Sequence, residues 1–234
     1  MPEEQLHRAQ LYILYALRRS TELRYTDLRK PTGLDSDVFK FHVQKLQKRS
    51  LLAKNTDGKY ELTSSGKELA NNLDRTKRQI QKQPKLSVLL MISRLNEQGE
   101  TEYLLQQRFR NPFYGYWGNI TGPVRWGEAV EEATIRELRK QTGLSGSFEV
   151  KSVYRKRDYS DNTGMLLEDK LFTIVEVTNL WGELSNEWSG GHNAWIVRSK
   201  IKNLKGFNTL EVIGLAESGQ IYYEGTASYS EAEY

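Results

Sequence analysis

The stretch from Gly122 to Leu144 constrains the fold of this chain more than any other segment. Its second part, Glu128 to Thr142, has the apolar spacing of an amphipathic helix, and Gly143 follows it as a residue that commonly ends helices. Gly122 lies six residues before Glu128, and an adjacent Arg136 and Glu137 lie inside the predicted helix. These positions predict a loop, a helix and a second loop, with polar side chains at fixed intervals.

This spacing resembles the Nudix box, in which a glycine, a glutamate and an Arg-Glu pair precede two further glutamates and a second glycine. Seven positions match at the required intervals: Gly122, Glu128, Arg136, Glu137, Leu138, Gly143 and Leu144. The upstream segments Leu104–Arg108 and Gly115–Trp117 match the usual approach to the box. The resemblance covers about residues 86–215. It implies an α/β/α sandwich with a mixed sheet, in which the box forms a loop–helix–loop.

The box departs from the family pattern at the positions that bind metal. In the family, three glutamates at i, i+3 and i+4 share one helix face and hold Mg²⁺ or Mn²⁺ against a diphosphate. Here those positions are Glu137, Lys140 and Gln141, whose formal charges of −1, +1 and 0 cancel. Lys140 could pair with Glu137, the surviving Nudix glutamate, and would repel a divalent ion. We therefore predict no metal, no other cofactor, and no ordinary Mg²⁺-dependent hydrolysis.

Other carboxylates leave an alternative open, because an acidic residue elsewhere could complete a metal site. The candidates are Glu131, Glu132, Glu168, Asp169, Glu183 and Glu187. Glu131 and Glu132 are expected to face water at the start of the helix. If the site were completed, the chain would be a Nudix hydrolase of nucleoside diphosphate derivatives that uses Mg²⁺ and carries an accessory N-terminal domain.

A box without metal can still bind a phosphate-bearing ligand. Lys140 would act as a point charge, whereas Arg136 either grips phosphate through its fork or stays in a structural ion pair with Glu128. The aromatic residues at 113–117 would stack on a base or ribose, or else pack in the core. The candidate ligand-binding residues are Arg108, Tyr116, Trp117, Gly122, Glu128, Arg136, Glu137 and Lys140.

The first third of the chain differs in charge from the rest. Residues 1–85 hold 18 Lys and Arg against 10 Asp and Glu, whereas the remainder holds 16 against 20. A helical pattern gives way to a strand pattern across the polar segment Thr76–Pro84. This change predicts a linker there, between a first domain at 1–80 and a second at 84–225. The basic first domain favours a polyanionic partner over chance clustering on a solvated surface.

Three predicted helices and a hairpin around Asn55–Gly58 give the first domain a winged helix-turn-helix layout. In the third helix, residues 35–49, one face carries Lys40, Gln44 and Lys48, and the packed side carries Val38, Phe39, His42, Val43 and Leu46. The run 38–66 resembles small bacterial and archaeal winged-helix repressors, over about residues 5–75. That resemblance implies double-stranded DNA as a partner, rather than protein contacts alone. The candidate DNA-binding residues are Thr26, Ser36, Lys40, Gln44, Lys45, Lys48, Lys54 and Lys59.

The combination is similar to the Nudix-related transcriptional regulators, although the two domains stand in the reverse order here. It implies a homodimeric DNA-binding transcription regulator whose degenerate Nudix domain senses an ADP-ribose-like nucleotide. The alternatives are the hydrolase described above and a structural or protein-interaction role for both domains.

The composition excludes several other classes of protein. With no cysteine, the chain has no disulfide, thiolate metal site or thiol nucleophile. No apolar run approaches the roughly 18 residues of a membrane span, and the first residues lack the pattern of a signal peptide. A cytoplasmic location and no membrane partner are therefore expected. The residues after Tyr223 are predicted to be poorly ordered.

Overall fold

The structure is a computed structural model that describes residues 6–73 and 82–234. Its contacts divide the chain into two compact units, Met1–Lys82 and Gln83–Tyr234. Most of the linker predicted at Thr76–Pro84 lies outside the described residues. Every helix in the described part of the chain is too short or too polar to cross a membrane.

The first unit has the winged helix-turn-helix layout. Its elements are α1 (Arg8–Leu17), α2 (Tyr25–Arg29), α3 (Ser36–Lys48), β1 (Leu52–Lys54), β2 (Tyr60–Leu62) and α4 (Ser64–Asn71). The strands β1 and β2 pair antiparallel, and Leu23 pairs with Tyr60 of β2 in an isolated antiparallel bridge. Apolar side chains from all four helices and both strands form one core.

Local side-chain hydrogen bonds explain where these helices begin. Asp35 caps α3 by accepting a hydrogen bond from the backbone N–H of Val38 at 2.9 Å. Thr63 caps α4 by accepting from the backbone N–H of Gly66 at 3.0 Å. At the tip of the hairpin, the Asn55 side chain accepts from two backbone N–H groups, and Gly58 adopts the left-handed conformation that the turn needs. Each cap satisfies a backbone donor that the helix itself leaves unpaired.

The structure corrects the predicted packed side of α3 at one position. Phe39, His42, Val43 and Leu46 are buried as expected, but Val38 is 43% exposed. Successive helical residues are about 100° apart, so Val38 lies well to one side of the direction in which those four side chains point. The prediction for Val38 was wrong because apolar character alone does not fix the centre of the buried face.

The second unit contains the mixed sheet. Its elements are β3 (Lys85–Leu95), β4 (Thr101–Arg108), β5 (Trp117–Gly118), β6 (Ile120–Pro123), α5 (Val130–Thr142), β7 (Ser145–Ser160), β8 (Leu166–Trp181), β9 (Glu187–Trp188), β10 (Gly191–Val197), α6 (Thr209–Glu217) and β11 (Tyr222–Tyr229). The strand order is β11-β7-β8-β3-β4-β10-β9, with β6 paired to β3 and β5 paired to β4. The pairs β3–β8 and β7–β11 are parallel, and the other pairs are antiparallel.

Alternating residues of β3 feed two separate cores. Val88, Leu90 and Ile92 pack in the core that includes α5, whereas Leu89 and Met91 pack in the core that includes α6. Side chains of a strand point to opposite faces in turn, so one strand can support a layer on each side. This arrangement confirms the predicted α/β/α sandwich.

The prediction of poor order after Tyr223 was wrong. Strand β11 pairs in parallel with β7 from Tyr222 opposite Val153 to Tyr229 opposite Ser160. Beyond the strand, the carbonyl of Glu233 accepts a hydrogen bond from the backbone N–H of Phe113 at 3.0 Å. Exposed and half-buried positions alternate along this strand. The alternation cannot be recognised in the sequence, because most of the residues of the strand are polar.

Candidate functional site

An ion pair joins the loop before α5 to the helix itself. Arg136 is bidentate to Glu128, with Nε–Oε1 at 2.6 Å and Nη2–Oε2 at 2.8 Å. The same guanidinium donates to the carbonyl of Pro123 at 2.8 Å. The hydrogen bond from Arg136, together with one from the backbone N–H of Arg125, lowers the pKa of Glu128 to about 2. Of the two roles considered for Arg136, the geometry therefore favours the structural one.

Glu137 is buried, with 2% of its surface exposed, and both of its oxygens have donors. Oε1 accepts from the guanidinium of Arg136, and Oε2 accepts from Nε2 of Gln141 at 2.7 Å. Gly122 on β6 faces this carboxylate, and a Cβ atom there would collide with the Glu137 side chain. The matching glycine of the box is thus required by the close approach of β6 to α5.

The amide of Gln141 extends this contact into a buried network. Gln141 is 1% exposed, and its Nε2 also donates to the carbonyl of Thr121 at 3.0 Å. Its Oε1 accepts from Nε2 of Gln106 at 3.2 Å, and Gln106 in turn donates to Oδ1 of Asn193 at 3.0 Å. Asn193 donates back to the carbonyl of Gln141 at 2.7 Å. The network joins α5 to β4, β6 and β10.

The donor set around Glu137 does not fit a divalent cation. A hard cation needs several carboxylate or carbonyl oxygens, whereas here an amide N–H₂ and a guanidinium face the one carboxylate. The described residues contain no group of three His, Asp or Glu side chains placed to hold a metal. Lys140 does not pair with Glu137, since it is exposed and its Nζ lies 5.6 Å above the ring of Trp188. Arg110 approaches the same ring at 5.3 Å.

The carboxylates considered as replacements have other partners or face solvent. Glu132 caps α5 through the backbone N–H of Ala129, and Glu131 and Glu183 are exposed. Asp169 pairs with Arg155 at 2.8 Å, and Glu187 pairs with His192 at 2.6 Å. Burial opposes ionisation of Glu168, but hydrogen bonds from Lys170, Lys85 and Tyr234 lower its pKa to about 2.

A cavity of about 70 Å³ lies on the α6 side of the sheet, next to the amide network. Gln106 and Thr121 belong to both the network and the cavity wall, and Arg108, Lys156 and Lys170 bring positive charge to it. Lys156 pairs with Asp158 at 2.5 Å, and Lys170 pairs with Glu168 at 2.8 Å. Pockets for small-molecule ligands usually span roughly 300–1,000 Å³, so this cavity admits a small group rather than a whole nucleotide.

Of the predicted ligand-binding residues, Arg108 is the one that lines this cavity. Its Nε donates to the carbonyl of Pro112 at 3.1 Å, and no described carboxylate lies within ion-pair distance of it. Burial, and then the charge of Arg110, lower the pKa of Arg108 to about 10. A desolvated guanidinium without an anionic partner is a favourable place for a phosphate or carboxylate.

The aromatic residues at 113–117 serve packing more than ligand contact. Phe113 is buried among Phe207, Tyr229 and Tyr234, with ring centroids 5.2, 4.6 and 5.6 Å away. Tyr116 is buried and donates to Glu233 at 2.7 Å, and burial with this hydrogen bond raises its pKa to about 12. These contacts favour the core-packing alternative for both residues. Trp117 begins β5, with its ring 6.1 Å from that of His192.

Residues 85–192 match the sequence profile described as the NUDIX domain. This segment is a NUDIX domain. One curated relative, an ADP-ribose pyrophosphatase of Methanocaldococcus jannaschii, is 44% identical over 45 residues, which are 19% of this chain and 27% of the relative. The chain thus matches about a quarter of that relative's length.

Two solved structures are similar to this chain over about two thirds of its length. The NUDIX domain of Shewanella oneidensis NrtR, in complex with ADP ribose, has a TM-score of 0.50 and 18% identity, covering 67% of this chain and 98% of its own. A MutT protein of Bacillus halodurans has a TM-score of 0.48 and 16% identity, covering 64% and 93%. At this level of identity, the NrtR domain is similar to the present chain in fold alone.

Sequence reasoning missed several residues of the NUDIX site. Gln106 and Asn193 meet Gln141 across 35 and 52 residues of sequence, and Lys156 and Phe207 reach the cavity from β7 and the segment before α6. One signal was available for Gln106, since it is an amide that directly follows the apolar run 103–105 in a strand. A polar residue at a buried strand position implies a specific hydrogen-bond partner.

The candidate DNA-binding residues are mostly exposed. Thr26, Ser36, Lys40, Gln44, Lys48 and Lys54 are exposed, whereas Lys45 is half-buried. Lys59 is half-buried and pairs with Glu22 beside the turn of the hairpin, so its charge is already compensated. The exposed set therefore lies on α2, α3 and the first wing strand, and Lys59 is the weakest member of the prediction.

Substitution of Gln141 tests the buried amide network. Gln141→Glu replaces a donor by a second buried carboxylate next to Glu137, so we expect the free energy of unfolding to fall by about 3 kcal/mol. Adding Lys140→Glu brings three carboxylates together, and Mg²⁺ should then raise the unfolding midpoint of the double variant. The measurement is urea denaturation with and without Mg²⁺.

Gln141→Met is the matched control, because it removes the hydrogen bonds without adding charge. It should lose stability and gain none from Mg²⁺. Equal stabilisation of the wild-type protein and the double variant by Mg²⁺ would contradict this account of the site.

The Glu128–Arg136 pair predicts a dependence of stability on pH. The folded pKa of about 2 lies below the usual value of 4.5, so the contribution of Glu128 is fully present above pH 4.5 and is lost as the pH falls towards 2. Glu128→Gln should remove this part of the acid sensitivity, measured as denaturation midpoints from pH 2 to 6. Glu131→Gln, at an exposed position of α5, should leave the pH profile unchanged. A profile that Glu128→Gln does not flatten speaks against the pair as a stabilising contact.

Proposed function

We propose that this protein is a DNA-binding transcription regulator whose NUDIX domain binds an ADP-ribose-like nucleotide without a metal ion. The observation that carries this proposal is the amide and guanidinium shell around Glu137. It satisfies the carboxylate that a hydrolase of this family uses for metal. A domain that keeps the fold but fills its metal site with protein donors is suited to binding rather than to hydrolysis.

Arg108 is the residue we assign to the anionic part of the ligand. It lines the cavity beside the amide network and has no described carboxylate as an ion-pair partner. Lys140 and Arg110, which flank the ring of Trp188, offer two more cations and an aromatic face on the same domain. The complex of the NrtR NUDIX domain with ADP ribose supports this class of ligand. Because the cavity is small, a nucleotide would place one group in it and leave the rest outside.

Double-stranded DNA is the partner we assign to the first unit. Lys40, Gln44 and Lys48 recur every four residues of α3 and are exposed, which places them on one face. An α-helix of this size fits the major groove, and lysines contact phosphates while glutamine contacts base edges. Helix-turn-helix proteins that bind two DNA half-sites usually do so as two-fold symmetric dimers. The regulator is therefore expected to be a homodimer.

The alternative function is a NUDIX hydrolase with a substituted metal site. The observation that favours it is the local identity with an ADP-ribose pyrophosphatase. The two functions differ in a direct assay, since the regulator should bind ADP-ribose in EDTA with little turnover in Mg²⁺ or Mn²⁺. Turnover that Glu137→Gln abolishes would favour the hydrolase.

The DNA-binding surface gives a prediction about salt dependence. In the full chain, Lys48→Ala should weaken binding about equally for all duplexes and lower the slope of log affinity against log salt by about one. Gln44→Ala should instead change the preferred sequence. Lys67→Ala, an exposed lysine on α4, is the matched control and should change neither. The absence of DNA affinity at low salt would refute the proposed partner.

The sensing role predicts a reciprocal coupling between ligand and DNA. A nucleotide that alters DNA affinity by about 5–150-fold must have its own affinity altered by the same factor. The measurement is titration of ADP-ribose into the full chain with and without bound DNA, in EDTA. Arg108→Leu should weaken the nucleotide in both titrations and leave DNA affinity in the absence of nucleotide unchanged. Identical dissociation constants with and without DNA would show that this nucleotide is bound but not sensed.

A further inference from the structure

Two large apolar side chains lie exposed on α3. Phe41 is 55% exposed and Val38 is 43% exposed, and they lie three residues apart, so they are neighbours on the helix surface. The other apolar residues of the helix, Phe39, Val43 and Leu46, are buried. Two adjacent apolar side chains on an otherwise polar face indicate a contact surface. We call this pair the apolar patch.

Basic and polar side chains surround the apolar patch. The Nζ atom of Lys45 lies 5.8 Å from the centre of the Phe41 ring, and Lys40 and Gln44 are exposed on the adjoining part of the face. Asp37 is the acidic residue exposed on the same face. The rim is therefore mainly basic, and the complementary partner is an anionic surface with an apolar group on it.

The patch is held in place from below. The ring of Phe41 meets the ring of His42 edge-on, with centroids 5.4 Å apart, and His42 is buried. His42 also stacks on His7 at 4.1 Å, which links the base of the patch to the start of α1. A side chain supported in this way presents its outer edge to a partner with little loss of conformational freedom.

We propose that Phe41, with Val38 beside it, reads the C5-methyl group of thymine in the major groove. The inference rests on the proposed DNA-binding function and deepens it. Thymine is the base that presents an apolar group in that groove, and phenylalanine is suited to contact it. Gln44, one turn further along the helix, matches the donor and acceptor pattern of adenine. The two side chains together favour a half-site rich in A·T pairs.

A second copy of the chain is a poorer occupant of the patch. In a two-fold contact through α3, Lys40, Lys45 and Lys48 would face the equivalent lysines of the partner. Like charges placed opposite one another oppose association. Duplex DNA neutralises the same lysines with phosphates, so the basic rim selects DNA over self-association.

The test uses the full chain and a duplex selected by it from a random library. Each thymine of that duplex is replaced in turn by deoxyuracil, which removes the methyl group alone. For the wild-type protein we expect one position per half-site at which affinity falls about fourfold, the effect of burying one CH₂-sized group. Phe41→Ala should bind the thymine and deoxyuracil duplexes equally.

Lys48→Ala is the matched control, because it should weaken both duplexes and keep their ratio. Phe41 is exposed, so its replacement is compatible with folding, and circular dichroism checks this. If wild-type protein binds every deoxyuracil duplex as well as thymine, or Phe41→Ala retains the ratio, the inference fails while the DNA-binding function stands. If the wild-type chain selects no duplex at low salt, both fail together.

Discussion

The hydrogen bond from the Gln141 amide to the Glu137 carboxylate is the contact on which the NUDIX site depends. A buried carboxylate must have its oxygens satisfied, and in a hydrolase a divalent cation serves this purpose. Here Arg136 and Gln141 supply the positive and donor groups instead. The close approach of β6 is possible because residue 122 is a glycine, since a Cβ atom there would collide with the Glu137 side chain. Of the two positions that depart from the family's metal-binding glutamates, Gln141 is the one that makes the Glu137 carboxylate part of a buried hydrogen-bond network.

The contacts of Glu137 also determine which positively charged side chains of the domain are available to a ligand. With Arg136 held by Glu128 and Glu137, the cations left to meet a ligand are Lys140 at the end of α5 and those outside the box. Lys156 and Lys170 are paired with carboxylates, so Arg108 carries the uncompensated charge of the cavity wall within the described chain. A guanidinium binds an oxyanion by directed hydrogen bonds without polarising it as a metal would. The proposed recognition of phosphate therefore does not depend on a metal ion.

Local sequence rules predicted the features that depend on neighbours in the chain. The apolar spacing predicted α5, and the Asn55–Gly58 segment predicted the hairpin of the wing. The Glu128–Arg136 pair was one of the two alternatives for Arg136 that the resemblance left open. The partners of Gln141 could not be found in this way, because Gln106 and Asn193 reach it through the pairing of β4 with β10. Strand β11 was missed for a related reason, since its stability comes from β7 rather than from its own polar residues.

Val38 was expected in the core of the first unit, and it lies exposed beside Phe41. The pattern of apolar residues in a helix predicts which residues are buried. It does so correctly only when the direction of the buried face is known. On α3 that direction is set by Phe39, His42, Val43 and Leu46, and the residues that remain apolar outside it are not explained by packing within the unit. Contact of apolar side chains with water is unfavourable in free energy. A partner that covers these side chains removes that unfavourable contribution. Val38 and Phe41, which lie outside the buried face, are therefore the residues assigned to the proposed contact with DNA.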